Sequence, residues 1–298
     1  METLTSDSRN AAPPGELLRH AALLAGLGER ARPAVDEIRA AMAGEAQGGR
    51  TCIDAGSPLM IALLAPGGRG LRVLARLAPP AGAVAPWLRF HQLPDGRLER
   101  WRSDAYLGET AEAWQRALAA ARLVAGGEER LRRYHAALGP RGRIYSVSWS
   151  LGCSLSDGPP RASVSWQLDR TSPPAEALAA CGVGEAWPAA AEVFASLLGQ
   201  PITPRMGPWS LLLPLEDDAP RVRVGTTRWA RSLEDEAKRR RLSTVFTRLG
   251  GDGRFAEALY KLVAASGPSG PATRIGRAVE LELAGSRPVA LEAYLCPT

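Results

Sequence analysis

Along Ile144 to Leu151 and again along Ala162 to Leu168, apolar and polar residues alternate one by one. A period of two is that of a β-strand with one buried face, so both segments are predicted strands. The pattern recurs as pairs of short runs joined by turn residues. Leu59 to Ala65 and Leu71 to Ala78 flank Pro66-Gly67-Gly68-Arg69-Gly70, and Trp87 to Leu93 and Arg97 to Trp101 flank Pro94-Asp95-Gly96. Trp209 to Leu215 precedes Val222 to Trp229, with Glu216 to Pro220 between them. Ala278 to Leu283 and Val289 to Leu295 turn at Gly285-Ser286-Arg287. These pairs read as β-hairpins.

Between the hairpins the spacing changes to that of amphipathic helices. Leu17, Leu18, Ala21, Leu24, Leu27, Val35, Ile38 and Met42 mark one such stretch, which Gly26, Gly28 and Pro33 split into two helices. Glu109 to Leu138 is helical with a break at Gly126-Gly127 and a stop at Gly139-Pro140. Pro173-Pro174 opens a helical segment running to Leu198. Leu233 to Leu249 and Phe255 to Ala265 are helices separated by Gly250-Gly251-Asp252-Gly253.

The order is hairpin then helix, complete twice between Arg143 and Ala265 with a period of about 60 residues. A helical segment opens the chain and a hairpin ends it, which is complementary if the first and last hairpins meet. Five hairpins then supply ten antiparallel strands, enough for a barrel too wide for side chains to fill. The predicted fold is α+β, a ten-stranded antiparallel barrel of hairpin-helix units with helices outside. Residues 1–13 are expected to form a tail and 14–298 a single barrel domain.

Alternation sorts each strand into two faces. Val147, Trp149, Leu151, Val164, Trp166, Leu168, Val279, Leu281 and Leu283 belong under the helices. Ser146, Ser148, Ser150, Ser163, Ser165, Gln167, Glu280 and Glu282 face the other way. Arg72 and Arg76, Arg89 and His91, and Arg221 and Arg223 share that polar face on their strands. An open antiparallel sheet with one face in water has this pattern. So does a barrel with a polar lumen, which must hold water or a ligand because unpaired polar groups are costly in a dry core.

At 45% apolar, the 298 residues can bury a large core, and every apolar run is too short or too interrupted to cross a membrane. The first residues have no basic segment followed by an apolar one, so the protein is expected to be soluble and cytoplasmic. Cys52, Cys153, Cys181 and Cys296 are widely spaced, as reduced thiols would be. The net charge of +6 is almost wholly arginine, since Lys238 and Lys261 are the only lysines.

The length, repeat order, strand number and polar face resemble those of the ABBA prenyltransferases, or PT-barrel enzymes, over roughly Pro14 to Pro297. The resemblance implies a solvent-filled barrel that moves a prenyl group from an isoprenoid diphosphate to an aromatic acceptor, a small molecule or a peptide side chain. One departure is the absence of a long helical segment between the first two hairpins. Ionising a prenyl diphosphate needs cations and hydrogen-bond donors where charge develops. Arg72, Arg76, Arg89, Arg221 and Arg223 are the candidate diphosphate ligands, with Tyr145 and Tyr294 as donors or cation shields. Glu280 and Glu282 are the candidate general bases, and Glu292 alternates with Leu291 in the same manner. Each of these residues also has a structural reading, as a salt bridge or a solvated strand face.

Other chemistries find less support. His20, His91 and His135 have no metal-ligand spacing, and Glu216-Asp217-Asp218 is no DDxxD magnesium motif. No metal site or essential cofactor is predicted, with magnesium optional. There is no nucleophile elbow, P-loop or dinucleotide fingerprint. Lys238-Arg239-Arg240-Arg241 follows three acidic residues, which suits a solvated helix face better than nucleic-acid binding. Trp101, Trp114, Trp187 and Trp229 are assigned to packing. A noncatalytic barrel binding a hydrophobic ligand or a partner remains the alternative, distinguished by whether arginines converge in the lumen with a carboxylate about one aromatic ring away.

Overall fold

A computed structural model describes residues 14–43, 59–66, 71–76, 86–92, 98–105, 110–153, 161–203, 206–216, 221–232, 234–266 and 275–296. The expected tail, 1–13, lies outside them. The strands are β1 (Leu59–Ala65), β2 (Leu71–Arg76), β3 (Pro86–Gln92), β4 (Leu98–Ala105), β5 (Gly142–Cys153), β6 (Ala162–Leu168), β7 (Trp209–Pro214), β8 (Arg221–Thr226), β9 (Gly276–Ala284) and β10 (Arg287–Leu295). Each pairs antiparallel with its neighbour in sequence, and β1 also pairs with β10, which closes the barrel. The helices are α1 (Pro14–Leu24), α2 (Arg32–Ala43), α3 (Thr110–Ala121), α4 (Gly127–Leu138), α5 (Pro174–Ala180), α6 (Trp187–Leu198), α7 (Trp229–Ser232), α8 (Asp235–Arg248) and α9 (Gly253–Ala265). None of the described helices is long and apolar enough to cross a membrane.

The core lies between the outer face of the strands and the helices. Val147, Val164, Trp166, Val279, Leu281 and Leu283 are fully buried there, as the alternation predicts. Burying each such side chain contributes roughly 1.5–3 kcal/mol. The Trp209 indole of β7 packs edge-on against Phe194 of α6 at 5.0 Å and Trp187 at 5.6 Å. Trp149 packs on this core from a partly exposed position, and the side chain of Leu151 lies outside the described residues.

The opposite face has a different character. Along β7, and along β9 from Val279 on, every second residue is half-buried while its neighbours are fully buried. Because the wall is closed, that residual exposure is contact with water inside the barrel. The polar face is therefore a lumen, and the open-sheet reading falls.

Three sequence assignments need correction. Val222 to Trp229 is not one strand: β8 ends at Thr226, and Trp229 begins α7, buried in the outer core. Gly276 lies against it, since a Cβ there would come within 2.9–3.1 Å of three indole carbons. Lys238 is not on a solvated face but is 1% exposed, donating to the Ala230 carbonyl at 3.0 Å and lying 3.4 Å from Asp235 Oδ1. The Tyr260 hydroxyl donates to the same carboxyl oxygen at 2.6 Å, and burial followed by Asp235 raises this phenol above its ordinary range. Lastly, α9 starts at Gly253 and not Phe255, because Asp252 caps it by accepting from the Arg254 and Phe255 amides.

Candidate active site

A charged cluster on β8, β9, β10 and β3 lines the lumen. Arg223 Nε donates to Glu282 Oε2 and its Nη1 donates to Glu292 Oε2, both at 3.0 Å. Glu282 is the ladder partner of Arg223, and Glu280 is that of Glu292, so strand register alone places these four side chains together. The Tyr294 hydroxyl, one lumenal position along β10, donates to Glu280 Oε2 at 2.9 Å. Across the lumen, Arg89 on β3 interacts electrostatically with Tyr294, Glu292, Glu280 and Arg223.

Charges here are set by enclosure and proximity. Burial, and then the neighbouring Glu292, push the Glu280 carboxyl toward its protonated form. Burial, Glu280 and Glu292 raise the Tyr294 phenol. Burial opposes the charge on Arg223, but Glu292, Glu282 and Glu280 together outweigh it and hold the guanidinium above its ordinary range. Arg89 is raised in the same way against its own burial, mainly through Tyr294 and Glu292. Its Nε is buried and makes no hydrogen bond among the described residues.

Space for the Glu280 side chain comes from Gly225, opposite it on β8. A Cβ there would lie 2.8 Å from Glu280 Cγ and 3.1 Å from Ser210 Oγ. Only a residue without a side chain lets Glu280 lie flat along the wall. Ser103 and Ser148, paired across β4 and β5, hydrogen-bond at 2.6 Å and line another part of the same surface.

The structure thus brings together Arg89, Arg223, Glu280, Glu282 and Tyr294 of the predicted residues. Arg221 stands apart, exposed at the start of β8. Tyr145 is the extra residue of a β-bulge between the Ile144–Trp166 and Ser146–Ser165 pairs, four strands from β9 around the wall. Arg72 and Arg76 sit in β2, paired with His91 and Trp87, but their side chains lie outside the described residues. The expected separation of arginine and carboxylate by one ring is not found at Arg223, which touches both glutamates directly.

The alternation with Leu291 marked Glu292 in the sequence, but not its ion pair with Arg223. Sequence reasoning also missed a second group at the β3–β4 side. Glu99 Oε1 accepts from Arg161 Nη2 at 3.1 Å, and the Arg161 guanidinium lies 4.9 Å from the centre of the Trp101 ring. Trp101 pairs with Arg89, so it belongs to the lumen and not to the packing set to which it was assigned. Among the described residues no cluster of three His, Cys, Asp or Glu side chains is placed to hold a metal ion. Cys181 has its thiol pushed up to about 12 by burial, so it is an inert thiol.

No family model matches the chain, and no curated protein matches it in sequence. Solved structures do resemble it. The 5-dimethylallyltryptophan synthase of Streptomyces coelicolor is 18% identical with a TM-score of 0.69, over 95% of this chain and 96% of that one. The 6-dimethylallyltryptophan synthase of Micromonospora olivasterospora, solved in complex with DMASPP and Trp, is 17% identical with a TM-score of 0.67 over the same shares. AnaPT of Neosartorya fischeri is 13% identical with a TM-score of 0.66, over 100% of this chain and 95% of that one. The fold is accordingly that of the PT barrel.

Proposed function

We propose that the barrel transfers a prenyl group from an isoprenoid diphosphate to an electron-rich aromatic acceptor. The observation that carries this reading is Arg89, an enclosed lumenal guanidinium whose Nε has no hydrogen-bond acceptor among the described residues. A buried donor without an acceptor costs about 1–3 kcal/mol, which an anionic ligand would recover. The named activities of the similar structures, dimethylallyltryptophan synthases among them, support the same reaction class.

In the proposed step the prenyl C1–O bond breaks and both electrons leave with the diphosphate. Arg89 and Arg223 offset that charge in a site where bulk water is limited. Tyr294 adds a hydroxyl at the same place. Glu280, shifted toward its protonated form, opposes the leaving group less than an ordinary carboxylate would. The acceptor ring carbon bonds to C1 and then loses its proton. Arg72 and Arg76 belong to the proposal as further diphosphate ligands, with magnesium optional, and a cytoplasmic location is part of it.

A second reading, a noncatalytic small-molecule-binding barrel, draws on Arg223, whose charge is already met by two carboxylates. The two separate in one assay. The chain is incubated with dimethylallyl, geranyl and farnesyl diphosphates and a panel of aromatic acceptors, with products read by mass. Alkylated product that falls about 100-fold in kcat/KM in Arg89→Ala is the expected result. Absence of both product and diphosphate binding would leave only the binding barrel.

A further inference from the structure

Aromatic substitution leaves a proton on the attacked ring carbon, and the lumenal glutamates are poorly placed to take it. Glu280 is already held toward protonation, and Glu282 and Glu292 each commit an oxygen to Arg223. A different basic group lies nearby. His91 shares the lumenal face of β3 with Arg89, because Phe90 between them is packed in the outer core. Its Nδ1 is 3.7 Å from Oε2 of Glu99, its ladder partner on β4. Both are sheltered, with side chains 12% and 22% exposed.

The surroundings hold this pair in one arrangement. The nearby His91 is the largest influence on the Glu99 carboxyl, which sits at about 2 despite partial burial, with Arg161 adding to the effect. Glu99 therefore stays anionic at any ordinary pH. An anion 3.7 Å from Nδ1 favours the proton on that nitrogen, which leaves Nε2 as the basic one. Arg161 is anchored in turn over Trp101, and its amide donates to Ser150 Oγ at 3.0 Å.

We propose that His91, oriented by Glu99, accepts the proton released in aromatic prenyl transfer, with Trp101 as the wall against which the acceptor ring lies. This rests on the prenyl-transfer reading. Residues two apart on a strand are separated by roughly 7 Å, about the space of one aromatic ring between the Arg89 anchor and the His91 base. The electrons balance. The C1–O pair leaves with the diphosphate, a ring π pair forms the new C–C1 bond, and the C–H pair restores the ring as the proton moves to Nε2. Glu99 and Trp101 are positioning residues.

The test uses the full chain with His91→Ala and His91→Gln, the second guarding against a folding defect in the first, and follows alkylated acceptor and released diphosphate separately. The expected result is an alkylation kcat at least about 100-fold lower in both variants. The KM for prenyl diphosphate should stay within about twofold, prenyl alcohol should appear as water captures the cation, and added imidazole should restore part of the alkylation in His91→Ala. Alkylation at the wild-type rate in either folded variant overturns the assignment. So does a parallel loss of alkylation and diphosphate release without imidazole rescue, which marks a structural residue. Wild-type protein that neither alkylates nor releases diphosphate overturns the prenyl-transfer reading itself, a result distinct from failure at His91 alone.

Discussion

Replacing Glu99 by Gln keeps the shape of the side chain and removes its charge, so it isolates what the anion contributes between His91 and Arg161. A carboxyl lowered from its ordinary 4.5 to about 2 is favoured in the folded state. At 1.36 kcal/mol for each pH unit, that difference corresponds to about 3 kcal/mol. The side chain retains contact with water, and screening reduces the contribution to about 1–2 kcal/mol. The folded-state value is depressed, so the stabilisation is complete above the unfolded value and is lost as pH falls from about 4.5 toward 2. Urea unfolding of wild type and Glu99→Gln should therefore differ by about 1–2 kcal/mol at pH 6, with the gap more than halved by pH 3. A gap that does not change with pH, or no gap at all, would refute the argument that an ionised Glu99 is held by His91 and Arg161.

Arg223→Met should destabilise the protein by about 3–5 kcal/mol near neutral pH, because Glu282 and Glu292 lose their shared cation in the lumen. Thermal melts should show the loss, and a second change, Glu292→Gln, should restore part of it at pH 7. Gly276→Ala should cost about 1–3 kcal/mol, since the new methyl overlaps the Trp229 ring, and Trp229 fluorescence should shift if the indole yields.

The fold was legible in the sequence because two signals agreed: a strand period on segments bounded by turn residues, and a helical period between them. Closure was legible only as complementarity of the first and last elements, since no local pattern encodes the β1–β10 seam. Sites were harder to read where the pleat slips. At Tyr145 a bulge inserts one residue, so Ile144 and Val147 both pack outward although their numbers differ by three. On β4 the expected strand stopped at Trp101, whereas the true one runs to Ala105, and the faces of Glu99, Trp101 and Ser103 went unread. Lys238 was misplaced for another reason. Its neighbours Arg239 and Arg240 pair with Glu236, and Arg240 reaches solvent, but the helix turns Lys238 toward the Ala230 carbonyl of α7, which charge counting along the chain cannot distinguish.

The seam between β1 and β10 joins Ile61 to Leu295. Ring closure over so long a stretch of chain is entropically the most expensive contact in the sheet, and it has to come after the hairpins, which form locally. Without that contact the sheet carries two raw edges. The sheet encloses a lumen only when this seam is made, so the shelter of every lumenal charge depends on that one contact.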